Sequence, residues 1–132
     1  MRKLSFAAIS MALIVAALTM AAVTMAQPAA KPTHYVVIVR PGPKWIRGKS
    51  ASEQALLAHG RYLKEQMDKG TLVYAGPFLD DAGGLILLNV QTEADARRIA
   101  EHDPGVVEQI LVPEIHPFLL AFDAATSKSP FK

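Results

Sequence analysis

Among the four histidines of this chain, His59 alone lies on the apolar stripe of a helical run, three residues after Leu56 and four before Leu63. Asp103 follows Ile99 by four residues and Ala100 by three, which places it at the inner edge of a second helical run. A carboxylate beside an imidazole fixes the ring's tautomer and leaves the other nitrogen to take or give a proton, the equipment of general acid/base chemistry. Arg40 and the cluster Gly76-Pro77-Phe78 complete the candidate site, the first to hold an anionic group and the second to shape a cleft around a small-molecule ligand. The same residues have a plainer use. A histidine on an apolar stripe often serves as a hydrogen-bonded core residue, and Asp before Pro is a common end to a helix.

Other chemistries find less support. His34 opens a strand, His102 adjoins Asp103 but points elsewhere on its helix, and His116 lies in the last strand; none has a local spacing typical of metal ligands, so no metal is expected. Ser127 and Ser129 fall in a polar tail and no G-x-S-x-G elbow is present, which argues against a serine hydrolase. With no cysteine, thiol catalysis and cysteine-ligated metals are excluded, and stability rests on packing. Trp45 and Phe78 are candidates for pocket walls or for ordinary packing.

The elements that would position these residues follow from periodicity and breakers. His34 to Val39 reads as a strand closed by Arg40-Pro41-Gly42-Pro43, and residues 52–69 as a helix capped by Ser52 and stopped at Gly70, with Leu56, Leu63 and Met67 as its stripe. Thr71 to Ala75 and Leu85 to Val90 read as strands, joined through Gly76-Pro77 and Asp80-Asp81-Ala82-Gly83-Gly84. Thr92 to His102 reads as a helix with Thr92 as cap, Pro104-Gly105 as a break, residues 106–111 as an ambiguous segment, and Glu114 to Leu120 as a final strand. The order βαββαβ predicts an α+β, ferredoxin-like fold, a four-stranded antiparallel sheet with two helices on one face. In that topology Arg40, His59, the Gly76 turn and Asp103 all gather at one end of the sheet. Apolar residues fall on both sides of the strands, as in Val36 to Val39 and Leu85 to Leu88, so the face without helices calls for a cover, a second copy in a sheet-to-sheet homodimer.

Residues 1–26 place Arg2 and Lys3 ahead of an uncharged apolar run ending in Thr24-Met25-Ala26, the layout of a secretory signal peptide cleaved after Ala26. An uncleaved anchor is the alternative, since about 20 apolar residues span a bilayer. The expectation is a periplasmic or secreted protein that meets a membrane only through this leader. Residues 27–33 then form a loose arm, residues 34–122 a single domain and residues 123–132 a polar tail. The leader holds two of the 14 basic residues, leaving 12 against 12 acidic ones; with no basic stripe interleaved with aromatics, nucleic acid is not an expected partner.

The segments HGRYL (59–63), GTL (70–72) leading to AGPF (75–78), DDAGG (80–84), EADA (93–96) and Asp103-Pro104 resemble, in order and spacing, the YCII-related (YciI-like) family over about residues 34–120. The resemblance implies a ferredoxin-like domain that dimerises through its sheet, in the manner of dimeric α/β-barrel proteins. It also implies an active site built on a histidine and an aspartate, matching His59 and Asp103, with no bound cofactor. Chemistry suggested for relatives is of the lyase or elimination type, including dehydrochlorination of a chlorinated hydroxylated aromatic in one branch. Two departures stand out: the export leader, and Gly105 where an aromatic is usual after Asp-Pro. A lyase-like exported enzyme is thus one expectation, and a non-catalytic periplasmic ligand-binding or assembly domain the other.

Overall fold

Burial alternates strictly along the first strand, β1 (His34–Pro41): Tyr35, Val37 and Val39 are buried, and the residues between them are partly open. Such alternation belongs to a strand with one covered face. The computed structural model describes residues 31–126; the leader, most of the N-terminal arm and the last six residues of the expected tail lie outside the described residues. The remaining elements are α1 (Leu57–Asp68), β2 (Leu72–Pro77), β3 (Gly84–Leu88), α2 (Glu93–Glu101), a one-turn α3 (Pro104–Val107) and β4 (Leu111–Phe118), with a 3-10 turn at Ala51–Glu53.

The strands form one antiparallel sheet in the order β2-β3-β1-β4. This is the expected α+β, ferredoxin-like arrangement. One extra residue, Val73, interrupts the pairing of β2 with β3 and resets the alternation, so that Leu72 faces the helices and Tyr74 the open side. Under the helices lies a core that includes Tyr35, Val37, Val39, Ile86, Leu88, Ala96, Ile99 and Leu111. A side chain as enclosed as Leu88, with no exposed surface, contributes about 2–3 kcal/mol by leaving water.

Local signals set most boundaries. Thr92 caps α2 as expected, its hydroxyl oxygen accepting from the Asp95 amide at 3.1 Å. After α1, Gly70 takes a φ of 73°, the left-handed stop that glycine supplies. Two expectations need correction. The first helix begins at Leu57 rather than Ser52, because residues 51–53 close a separate 3-10 turn whose cap is Ser50. Its inner stripe is His59, Tyr62, Leu63 and Gln66 rather than one ending in Met67, which is half exposed; Gln66 is buried and accepts from the Thr71 hydroxyl. The break at Pro104 also starts a helix, which the ambiguous residues 106–107 complete.

Candidate active site

His59 sits in the first turn of α1, and its neighbours along the inner stripe, Tyr62 and Leu63, pack on the core. Asp103 stands where α2 gives way to α3. It is the N-cap of α3, and Pro104 follows at N1, a position that suits a residue without an amide hydrogen. Its Oδ1 accepts from the Gly105 amide at 2.8 Å, so the cap itself aims the carboxylate.

The two residues meet across 44 positions of sequence. His59 Nδ1 donates to Asp103, 2.7 Å from Oδ2 and 2.9 Å from Oδ1. The imidazole is 15% exposed and the carboxylate 2%. Since an ionised carboxylate only accepts, the bond puts the ring proton on Nδ1 and leaves Nε2, which bonds to no described residue, as the nitrogen available for chemistry. Space around Asp103 is tight: a Cβ on Gly105 would stand 2.9 Å from Leu111 Cδ1 and 3.3 Å from Asp103 Oδ1. Tyr62 braces the junction by donating to the Ile99 carbonyl at 2.9 Å. Its hydroxyl is held above the usual phenol pKa, first by burial and then by the negative charge of Asp103.

His59 opens into a cleft of about 370 Å3 between α1 and the ends of β1, β2 and β3. The walls are largely apolar, with Trp45, Leu56, Leu63, Ile86 and Leu111 among them. This is the size and character of a pocket for a small organic molecule. The turn beside it depends on Gly83, whose φ of 106° and approach to β1, where a Cβ would collide with the Val39 carbonyl oxygen, leave no room for a side chain.

The structure brings together some of the sequence-derived candidates and separates others. Gly76 and Pro77 line the cleft, but as the last residues of β2 rather than as a turn. Phe78 begins the turn, its amide donating to the Gly83 carbonyl, and does not line the cleft. Arg40 does not line it either. Following buried Val39, its side chain falls on the other face of the sheet, where Nε donates to Glu114 Oε2 at 2.9 Å. The strand alternation that buries Val39 therefore turns Arg40 away from His59. His34 bonds to Thr33, His102 to the Arg98 carbonyl and His116 to Glu114, all remote from the dyad in bonding. Among the described residues no three His, Cys, Asp or Glu side chains converge as a metal site requires.

Sequence reasoning missed the Gly105 amide and the cap. The signal was present, because Asp-Pro ends one helix and also begins another with Asp as N-cap and Pro at N1.

A family model of the YCII-related domain matches residues 33–118. No curated protein matches the chain.

Proposed function

The chain belongs to the YCII-related domain family, and on that premise we propose that it is a small lyase-type enzyme in which His59 transfers a proton and Asp103 orients it. The observation that carries this reading is the buried carboxylate 2.7 Å from His59 Nδ1, which leaves Nε2 without a described partner on a residue that lines an apolar cleft. In the elimination, a chlorinated hydroquinone reacts as its keto tautomer, whose chlorine-bearing ring carbon also carries hydrogen. Nε2 takes the proton of the remaining ring hydroxyl, the O–H electron pair becomes a C=O bond, the ring double bond shifts toward the chlorine-bearing carbon, and chloride departs with its own bonding pair. The proton then passes from His59 to water, so no cofactor is needed. Gly76 and Pro77 form part of the wall against which the substrate rests.

Chloride release from chlorinated hydroxyaromatic compounds is the activity to assay. Removing the general base by His59→Gln should lower kcat by about 10²–10⁴, and Asp103→Asn should lower it by less while the circular dichroism of both variants stays that of the parent. If both variants keep full turnover, or if turnover is lost only together with the fold, the dyad is structural and the ligand-binding or assembly reading takes its place.

The same reading includes a homodimer and export. The face of the sheet away from the helices presents Val36, Ile38, Leu85, Tyr74 and Val112, together with the pair Arg40 and Glu114. A two-fold copy covers the apolar residues and can set Arg40 against Glu114, a self-complementary arrangement. Light scattering should give twice the chain mass, and Ile38→Glu should give a monomer. The leader at residues 1–26 supports export, for which mass spectrometry of the protein recovered outside the cytoplasm should find Gln27 as the first residue.

A further inference from the structure

The cleft's walls are largely apolar, with His59, Ser52 and the Trp45 indole as its polar side-chain groups, and Arg40 is turned away from it. Cations stand instead in a neighbouring recess that shares Trp45 with the cleft. The loop after β1 carries Lys44, Arg47 and Lys49 within six residues and no acidic residue, and none of the three forms an ion pair among the described residues. The nearest acid in sequence, Glu53, is engaged by the Ser50 amide and hydroxyl at 2.9 and 2.8 Å.

This loop is ordered from beneath. Gln54, 8% exposed, accepts from the Ile46 amide at 2.9 Å and donates to the carbonyls of Ile46 and Lys49 at 2.9 and 3.0 Å. A buried side-chain amide with all three bonds made is a rigid clamp, and it fixes the backbone on both sides of Arg47. The Lys44 amide is tied separately to the Gln109 carbonyl at 3.0 Å. Arg47 and Lys49 line a recess of about 370 Å3 whose one carboxylate is Asp81. Trp45 lines both this recess and the His59 cleft, and the turn between β2 and β3 bounds both, through Asp81 on one side and Gly83 on the other.

We propose that the Lys44–Lys49 loop receives an oxyanion, so that the ligand of the His59 cleft is a small molecule with an apolar body and a carboxylate or similar acidic group. The proposal rests on the reading of that cleft as the ligand site and adds the ligand's charge class. The apolar body lies along Trp45 and the leucine walls, while the acidic group reaches past the indole to Arg47 and Lys49. Cations held by an ordered loop keep their side-chain stems free to close on the ligand, and charge-assisted hydrogen bonds to an oxyanion are stronger than neutral ones.

The test compares 3-phenylpropanoate with uncharged 3-phenylpropanamide on the full chain at low salt, followed by the emission of Trp45, the chain's one tryptophan, and by NMR shifts of His59. The acid should bind about tenfold more tightly than the amide, a factor in the range of one charge-assisted contact. In Arg47→Gln/Lys49→Gln the gap should close while the amide's affinity stays unchanged, and in His59→Gln the gap should persist. Equal binding of both compounds overturns the charge preference and leaves the cleft reading standing. A gap that survives the double variant, or that vanishes with His59→Gln, places the anion at the dyad and overturns the role of the loop. Failure of both compounds to perturb Trp45 or His59 overturns the cleft reading and this one together.

Discussion

Two histidine–carboxylate pairs flank the same sheet, and their bond lengths hardly differ. His59 Nδ1 lies 2.7 Å from Asp103 on the helix side, and His116 Nε2 lies 3.0 Å from Glu114 on the open side. What separates them is confinement. Asp103 is 2% exposed and is fixed by a backbone amide at a helix start, whereas Glu114 is 47% exposed and shares its charge between Arg40 and His116. The carboxyl of Glu114 is held below its usual range by Arg40 first and His116 second, but solvent screens both partners. A short distance is thus a poor guide to a site; a carboxylate whose remaining acceptor capacity is spent on fixed protein donors is a better one.

Removing the carboxylates should break the comparison most clearly. Asp103→Ala leaves the His59 and Gly105 N–H groups without an acceptor in a buried place and should cost about 2–4 kcal/mol in urea unfolding. Glu114→Gln should leave the urea midpoint where it was. Equal effects from the two variants would falsify the view that burial separates the pairs.

Glycines test the same contrast by space. A methyl group at Gly105 presses on Leu111 and on Asp103 itself, and Gly105→Ala should cost about 1–3 kcal/mol. Gly60, next to His59 inside α1, has nothing within 4 Å of a Cβ. Gly60→Ala should therefore stabilise the chain by about 0.5–1 kcal/mol through the unfolded state and helix propensity. A neutral Gly105→Ala in the same unfolding series would mean that the capping turn relaxes freely.

The fold was open to reading because its signals are local. The β-branched run of β1, the Thr92 cap and the Gly70 stop each act within a few residues, and their order fixes the topology. The His59–Asp103 pair was also legible, since helical spacing put both on inner faces and topology brought those faces to one end. Position along the chain misleads for Arg40: it sits at the end of β1 with the site, but the strand's period of two turns it to the face opposite buried Val39. Gln54 and its clamp on the Ile46–Lys49 backbone had no signal, since a glutamine that folds onto a loop is encoded by the loop's conformation rather than by a pattern.

The two pairs should also differ in tautomer. In ¹⁵N spectra of the neutral rings, His59 should be protonated at Nδ1 with Nε2 bare, and Asp103→Asn should loosen that preference. The exposed ring of His116 should lack so single a state, because its partner takes it from solvent with little gain. Identical tautomer populations in parent and Asp103→Asn would show that Asp103 does not orient the ring.

The smallest expected effect reads the Asp103 charge from a third residue. Tyr62 titrates above its ordinary value of 10.0, through burial first and Asp103 second. A group whose pKa is raised by folding adds stability that is fully present below its unfolded value and is lost as pH climbs through the folded one, so the chain should weaken above about pH 10. Tyr62→Phe should flatten that part of the stability profile. Asp103→Asn should bring the Tyr62 titration, followed by the NMR shift of its ring carbon, part of the way back toward 10, because burial remains when the charge is gone. Glu114→Gln, across the sheet, should leave it in place; if it moves Tyr62 as far as Asp103→Asn does, the charge of Asp103 is not confined to its own side of the sheet, and the contrast between the two pairs collapses.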